Sequence, residues 1–117
     1  MDRREIRTGV VGLGYFGSFH ARQHAASTSG RLVAVADFDA GRAASVAAAH
    51  GVDAVTDHRD LIGRVDAVSV AVPTSLHHRV AGDLIDAGIH VLIEKPIADT
   101  PEAARDLIAR AKAKGVV

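Results

Sequence analysis

Three glycines in the run Gly12-Leu13-Gly14-Tyr15-Phe16-Gly17 follow an apolar stretch and precede a segment of helical composition. That order gives a G-x-G-x-x-G loop a chemical use. Gly12 permits a tight turn, Gly14 lets backbone approach a pyrophosphate without a Cβ in the way, and Gly17 lets the following helix pack closely on the strand. The positive end of that helix would then face the phosphates. An ordinary strand-to-helix turn is the alternative. Asp37 closes the run Val33-Ala34-Val35-Ala36, about 20 residues past the loop, where a dinucleotide-binding fold sets an acid against the adenosine ribose. A carboxylate there accepts hydrogen bonds from both ribose hydroxyls and repels a 2′-phosphate, which favours NAD over NADP. Arg42, five residues on, could greet a 2′-phosphate and keeps NADP open. The alternative for Asp37 is a helix or turn cap.

Other constellations carry less. His20 and His24 have i, i+4 spacing, but position 21 is Ala21 and no further ligands are evident, so no metal site is assigned. His77 and His78 are adjacent, and a helix would point them in different directions. Asp83 and Asp86 read as a solvated helix face, Asp57 and Asp60 as cap and first-turn residues. No Ser/His/Asp triad can be argued from the order of residues.

The elements that must hold this loop and acid are legible in the apolar runs. Val10-Val11, Leu32–Ala36, Val68–Val72 and His90–Ile93 have strand length, and near-continuous apolar runs suit strands buried on both faces of a parallel sheet. Residues 15–29, 40–50, 76–87 and 101–114 are helix candidates, with a short strand near Val52–Val55 and a short helix near Asp57–Ile62. Thr100 is a plausible N-cap ahead of Pro101 at the first helical position, with Glu102 in the first turn. Gly51, Gly88 and Gly115 each follow a helical stretch, where a left-handed residue is wanted. The alternation predicts an α/β fold of Rossmann type: one three-layer domain with a doubly wound parallel sheet in the order 3-2-1-4-5 and a sixth strand started at Val116.

Composition narrows the classes. The 117 residues carry 14 basic and 14 acidic side chains, and the sequence pI near 7.1 argues against a nucleic-acid partner. An apolar fraction of 48% is that of a folded chain. Absence of cysteine excludes disulfides and thiolate chemistry. No stretch reaches the ~18 apolar residues of a membrane helix, and only a short apolar run follows the charged opening, so no signal peptide is expected. No membrane partner and a cytoplasmic location are expected.

Two further segments make a family resemblance. Val70-Ala71-Val72-Pro73-Thr74-Ser75-Leu76-His77 is followed, after a helix, by Ala87-Gly88-Ile89-His90-Val91-Leu92-Ile93-Glu94-Lys95-Pro96. With the glycine loop and its continuation to Ala21, these resemble the glucose–fructose oxidoreductase/inositol dehydrogenase (Gfo/Idh/MocA) family from Ile6 to Val117. The Glu-Lys-Pro after an Ala-Gly-x-His-Val strand is the most specific part. The resemblance implies an NAD(H)-dependent oxidoreductase acting on a sugar, polyol or nucleotide-sugar hydroxyl. The wording of the 74–77 loop and of 92–98 is most like members that oxidise nucleotide-sugars at C3.

The resemblance also implies roles. Gly12, Gly14, Tyr15, Phe16 and Gly17 would contact the pyrophosphate, and Asp37 with Phe38 the adenosine end. Val72, Pro73, Thr74 and His77 would line the middle of the cofactor. Glu94 and Lys95 would sit by the nicotinamide ribose, with Lys95 catalytic. A desolvated lysine beside a cationic ring suits transfer of the hydroxyl proton. For the Lys95–Pro96 peptide, cis and trans are weighted equally. Family members continue into a larger substrate and oligomerisation domain. The expectation is therefore a nucleotide-binding domain lacking its substrate half, from a homo-oligomeric protein, with no turnover by these residues alone. A non-catalytic NAD(H)-sensing module is the rival reading; it has no need of Glu94-Lys95-Pro96.

Overall fold

The computed structural model describes residues 5–27, 30–95 and 97–117, with Tyr15 described by its backbone alone. Five strands and four α-helices alternate: β1 (Ile6–Val11), α1 (Tyr15–Ala26), β2 (Gly30–Ala36), α2 (Ala40–His50), β3 (Asp53–Val55), β4 (Ala67–Val70), α3 (Thr74–Asp86), β5 (His90–Ile93) and α4 (Pro101–Lys114). A 3-10 turn over His58–Leu61 joins β3 to β4. All strand pairs are parallel and the order is β3-β2-β1-β4-β5, as the alternation predicts.

Strand side chains alternate between two cores. Val10 and Val35 point to the face covered by α1 and α2, where they meet Leu13, Ala21, Leu32, Ala43 and Ala47. Val11, Ala34, Ala36, Val68 and Val70 point the other way, onto Val80, Leu84 and Ile85 of α3 and Leu107 of α4. Helix α3 buries Val80, Ala81, Leu84 and Ile85, a stripe of helical period. Leu84, with 0% of its surface exposed, contributes about 2 kcal/mol of burial by itself. This arrangement brings the carboxyl ends of the strands to one edge of the sheet, where the order reverses between β1 and β4.

Local signals decide most boundaries. The Thr100 hydroxyl accepts from the Ala103 N–H at 3.1 Å and Pro101 opens α4, while Asp57 caps the 3-10 turn through the Arg59 N–H at 2.9 Å. Gly51, Gly88 and Gly115 all have positive φ behind their helices. Departures from expectation are small and have causes. Helix α1 stops at Ala26 rather than at 29, because Ser27 is extended (φ −69°, ψ 141°). Helix α3 starts at Thr74 rather than 76, because Pro73, with φ −53°, stands at the N-cap and its carbonyl already accepts from the Leu76 N–H. Strand β4 ends at Val70 for the same reason: the chain must turn before Pro73. Of the sixth strand one rung forms, the Val91 N–H donating to the Val117 carbonyl at 3.1 Å beside β5. Asp83 corrects the reading as solvated helix face, since its carboxylate meets the buried His58 Nε2 at 2.8 Å.

Candidate cofactor cleft

The glycine loop is held in place by backbone. Gly12 donates its N–H to the Ala36 carbonyl at 2.9 Å and has φ +88°; a Cβ there would come within 2.8 Å of the Ala71 and Val72 backbone. Gly17 is buried in α1, and a Cβ on it would overlap the Gly12 carbonyl oxygen. Gly14 is different. It has an ordinary negative φ of −69° as the N-cap of α1, and a Cβ on it would meet nothing within 4 Å. The space it leaves lies at the positive end of a helix, where an anion is favoured.

That space belongs to a cleft of ≈ 720 Å³ along the carboxyl ends of the strands. Gly12, Gly14, Phe16, Asp37, Phe38, Val72, Pro73, Thr74, His77, Glu94 and Lys95 all line it. Gly17 stands behind the loop, not among the lining residues, and the Tyr15 side chain is outside the described part. Phe16 and Phe38 are 63% and 67% exposed, apolar faces offered to the cleft.

At the β2 end, the Asp37 carboxylate accepts from the Leu13 N–H at 2.8 Å and from the Asp39 N–H at 2.8 Å. It therefore acts as a turn cap, the alternative raised from sequence, and it also ties the glycine loop to β2. Its side chain is 8% exposed, and the Arg42 guanidinium lies 3.5 Å from Oδ2. At the other end, His77 is buried, with Nε2 on the Val72 carbonyl at 2.8 Å and Nδ1 on the Ile97 carbonyl at 3.2 Å. It thus joins the loop after β4 to the loop after β5. Lys95 is exposed at the cleft's mouth, and its ammonium has no ion-pair partner among the described residues. Pro96, and with it the Lys95–Pro96 peptide, lies outside the described residues.

Long-range partners are what the sequence reading missed. His20 Nε2 pairs with Glu94 Oε1, and His24 Nε2 meets the Ser69 hydroxyl at 2.7 Å. The i, i+4 histidines thus reach across the sheet to separate partners on the β4–β5 side. Thr56 and His58 also line the cleft, and nothing in their spacing announces it.

Burial, and then the nearby His20, push the His24 pKa below its ordinary value. The sign follows. The unfolded chain holds a proton on His24 below pH about 6.5, whereas the folded chain takes it up only at lower pH. Stability is complete above that value and falls as pH drops through the window beneath it. Thermal melts from pH 8 to 5 should show a smaller acid loss in His24→Gln than in the parent; identical slopes would contradict this origin.

Comparisons with known proteins bear on the same cleft. The chain is 44% identical over 112 residues to the UDP-N-acetylglucosamine 3-dehydrogenase of Acidithiobacillus ferrooxidans, covering 96% of this chain and 35% of that protein. It is 44% identical over 115 residues to inositol 2-dehydrogenase 1 of Saccharopolyspora erythraea, covering 94% and 34%. The crystal structure of the Acidithiobacillus enzyme superposes with a TM-score of 0.92 at 43% identity over 97% of this chain and 37% of that one. A variant 3-ketoreductase from Actinomadura kijaniata, in complex with TDP-benzene and NADP, superposes at 0.91 with 29% identity, over 97% and 37%. The chain spans about a third of the length of these relatives. Residues 6–117 match the family model GFO_IDH_MocA, described as an oxidoreductase family with an NAD-binding Rossmann fold, so the chain belongs to the Gfo/Idh/MocA family.

Proposed function

We propose that this chain is the dinucleotide-binding unit of an NAD(H)-dependent oxidoreductase that acts on a hydroxyl of a sugar, polyol or nucleotide-sugar. The observation that carries the reading is the unfilled space at Gly14, at the N-terminus of α1, midway along a cleft with Asp37 at one end and Lys95 at the other. A pyrophosphate fits such a cradle, and its two nucleosides would extend toward β2 and toward β4–β5. The relatives are named for oxidation of UDP-N-acetylglucosamine at C3 and of inositol, which supports a polyhydroxylated substrate with nucleotide-sugar C3 oxidation as the favoured case.

A bound nicotinamide would supply the redox chemistry by accepting hydride from the carbinol carbon. The chain's own part is to bind and to move a proton. Asp37 and the glycine loop hold the dinucleotide, and Phe16 and Phe38 give apolar surface to its planar rings. In its neutral form Lys95 Nζ takes up the hydroxyl proton as hydride leaves. Glu94 and Lys95 both line the cleft, and a sensing module has no need of a Glu94-Lys95-Pro96 segment, which favours the catalytic reading. The walls of the substrate site lie outside these 117 residues in the proposal, in keeping with relatives about three times as long.

Cofactor choice is the test. Two like charges about 4 Å apart repel by about 1 kcal/mol even in bulk water, so Asp37 should make NAD bind at least about fivefold more tightly than NADP. Arg42, already paired to Asp37, limits the preference from growing much larger. Calorimetric titration should show that gap and its narrowing in Asp37→Ala. That substitution also frees the Leu13 and Asp39 N–H groups and lowers stability. The ratio of the two dissociation constants is the quantity to read, because partial unfolding scales both alike. Equal or inverted affinities in the parent would sink the assignment.

A further inference from the structure

The pair between His20 and Glu94 ties helix α1 to a cleft-lining residue 74 positions further along the chain. His20 sits in α1, the helix whose N-terminus forms the phosphate cradle, while Glu94 follows β5 and lines the cleft beside Lys95. The histidine ring is 18% exposed and the glutamate side chain 43%. The imidazole is the more buried partner, and pairing with it holds the carboxylate in one rotamer. A free glutamate has three torsions and a full negative charge to offer anything entering that end of the cleft. Paired, one oxygen is committed to Nε2 and its charge is shared.

This end of the cleft lies on the β4–β5 side of Gly14, opposite Asp37. If Asp37 holds the adenosine, the reducible ring lies here. That ring is cationic when oxidised and neutral when reduced, so a carboxylate beside it discriminates between the two forms of one cofactor. Resting on the dinucleotide reading above, we propose that His20 is a positioning residue which fixes Glu94 and tempers its charge, and so sets the relative affinity of the cleft for oxidised and reduced dinucleotide. A second consequence is that Glu94, committed to His20, is kept from capturing the neighbouring Lys95 ammonium.

The readout is the ratio of the dissociation constants of NADH and NAD+, measured by calorimetry on the whole chain. A merely structural role for His20 would weaken both forms together and leave the ratio alone. His20→Ala is expected to shift the ratio at least threefold toward NAD+, because an unshared carboxylate attracts the cationic ring more strongly. His20→Gln, whose amide can still donate to Glu94, should restore part of the parent value. Glu94→Gln should shift the ratio the opposite way, toward NADH, and in that background His20→Ala should have no further effect. Glu94 is half-exposed and its substitution does not threaten the core, so this arm stands even if His20→Ala fails to fold. An unchanged ratio in Glu94→Gln, or a His20→Ala effect that persists there, overturns the proposal while leaving the dinucleotide reading intact. Failure of the parent chain to bind either form overturns both.

Discussion

Gly17→Ala is expected to unfold the domain or to lower its Tm by at least about 12 °C. The added Cβ would overlap the Gly12 carbonyl oxygen, and that carbonyl has nowhere to go. Gly12 is pinned by its own N–H to Ala36 at 2.9 Å and is hemmed by the backbone of Ala71 and Val72. A flexible side chain could swing away from the new methyl; backbone packed on backbone cannot. Overpacking of this kind costs about 3 kcal/mol or more, and each kcal/mol moves the Tm of a domain near this size by about 4–8 °C. Thermal denaturation followed by far-UV circular dichroism is the measurement. A Tm within about 3 °C of the parent would show that α1 can slide along β1, which the packing denies.

Gly14→Ala, three residues earlier, should do the reverse: leave the apo fold alone and weaken NAD binding at least about tenfold, or about 1.4 kcal/mol. At φ −69° alanine is not strained, and no atom stands within 4 Å of its Cβ. Loss of glycine's unfolded-state freedom favours the alanine form by up to about 1 kcal/mol, while an alanine N-cap is somewhat poorer than glycine, so the two nearly cancel. In the complex the methyl would occupy the space through which backbone approaches the pyrophosphate. Calorimetry with NAD, paired with a melting curve, separates the cases. Unchanged affinity would remove the cradle from the argument; a collapsed apo Tm would make Gly14 a conformational residue instead.

The two glycines look alike in a G-x-G-x-x-G pattern, and only the packed structure separates them: a Cβ on Gly17 meets a carbonyl, and a Cβ on Gly14 meets open space. Asp37 teaches the same lesson from the other side. Its spacing from the loop marked it as a cleft residue, and the fold puts it there. Its bonds to Leu13 and Asp39 add a structural duty that the ribose reading alone does not contain.

What this sequence determined by itself is whatever depends on neighbours along the chain. Runs of valine and alanine a strand long, Thr100 ahead of Pro101, and glycines behind helices act within one turn or one strand, so they can be read in order. Even the strand order followed, because alternating elements leave few ways to cover both faces of a parallel sheet. The pairs His20–Glu94, His24–Ser69 and His58–Asp83 were decided by tertiary structure alone. Each joins elements 25 to 74 residues apart. Whether such groups meet depends on the rotation of a helix about its axis and the register of strands. Those are settled by the summed packing of both cores, not by the residues that come to touch.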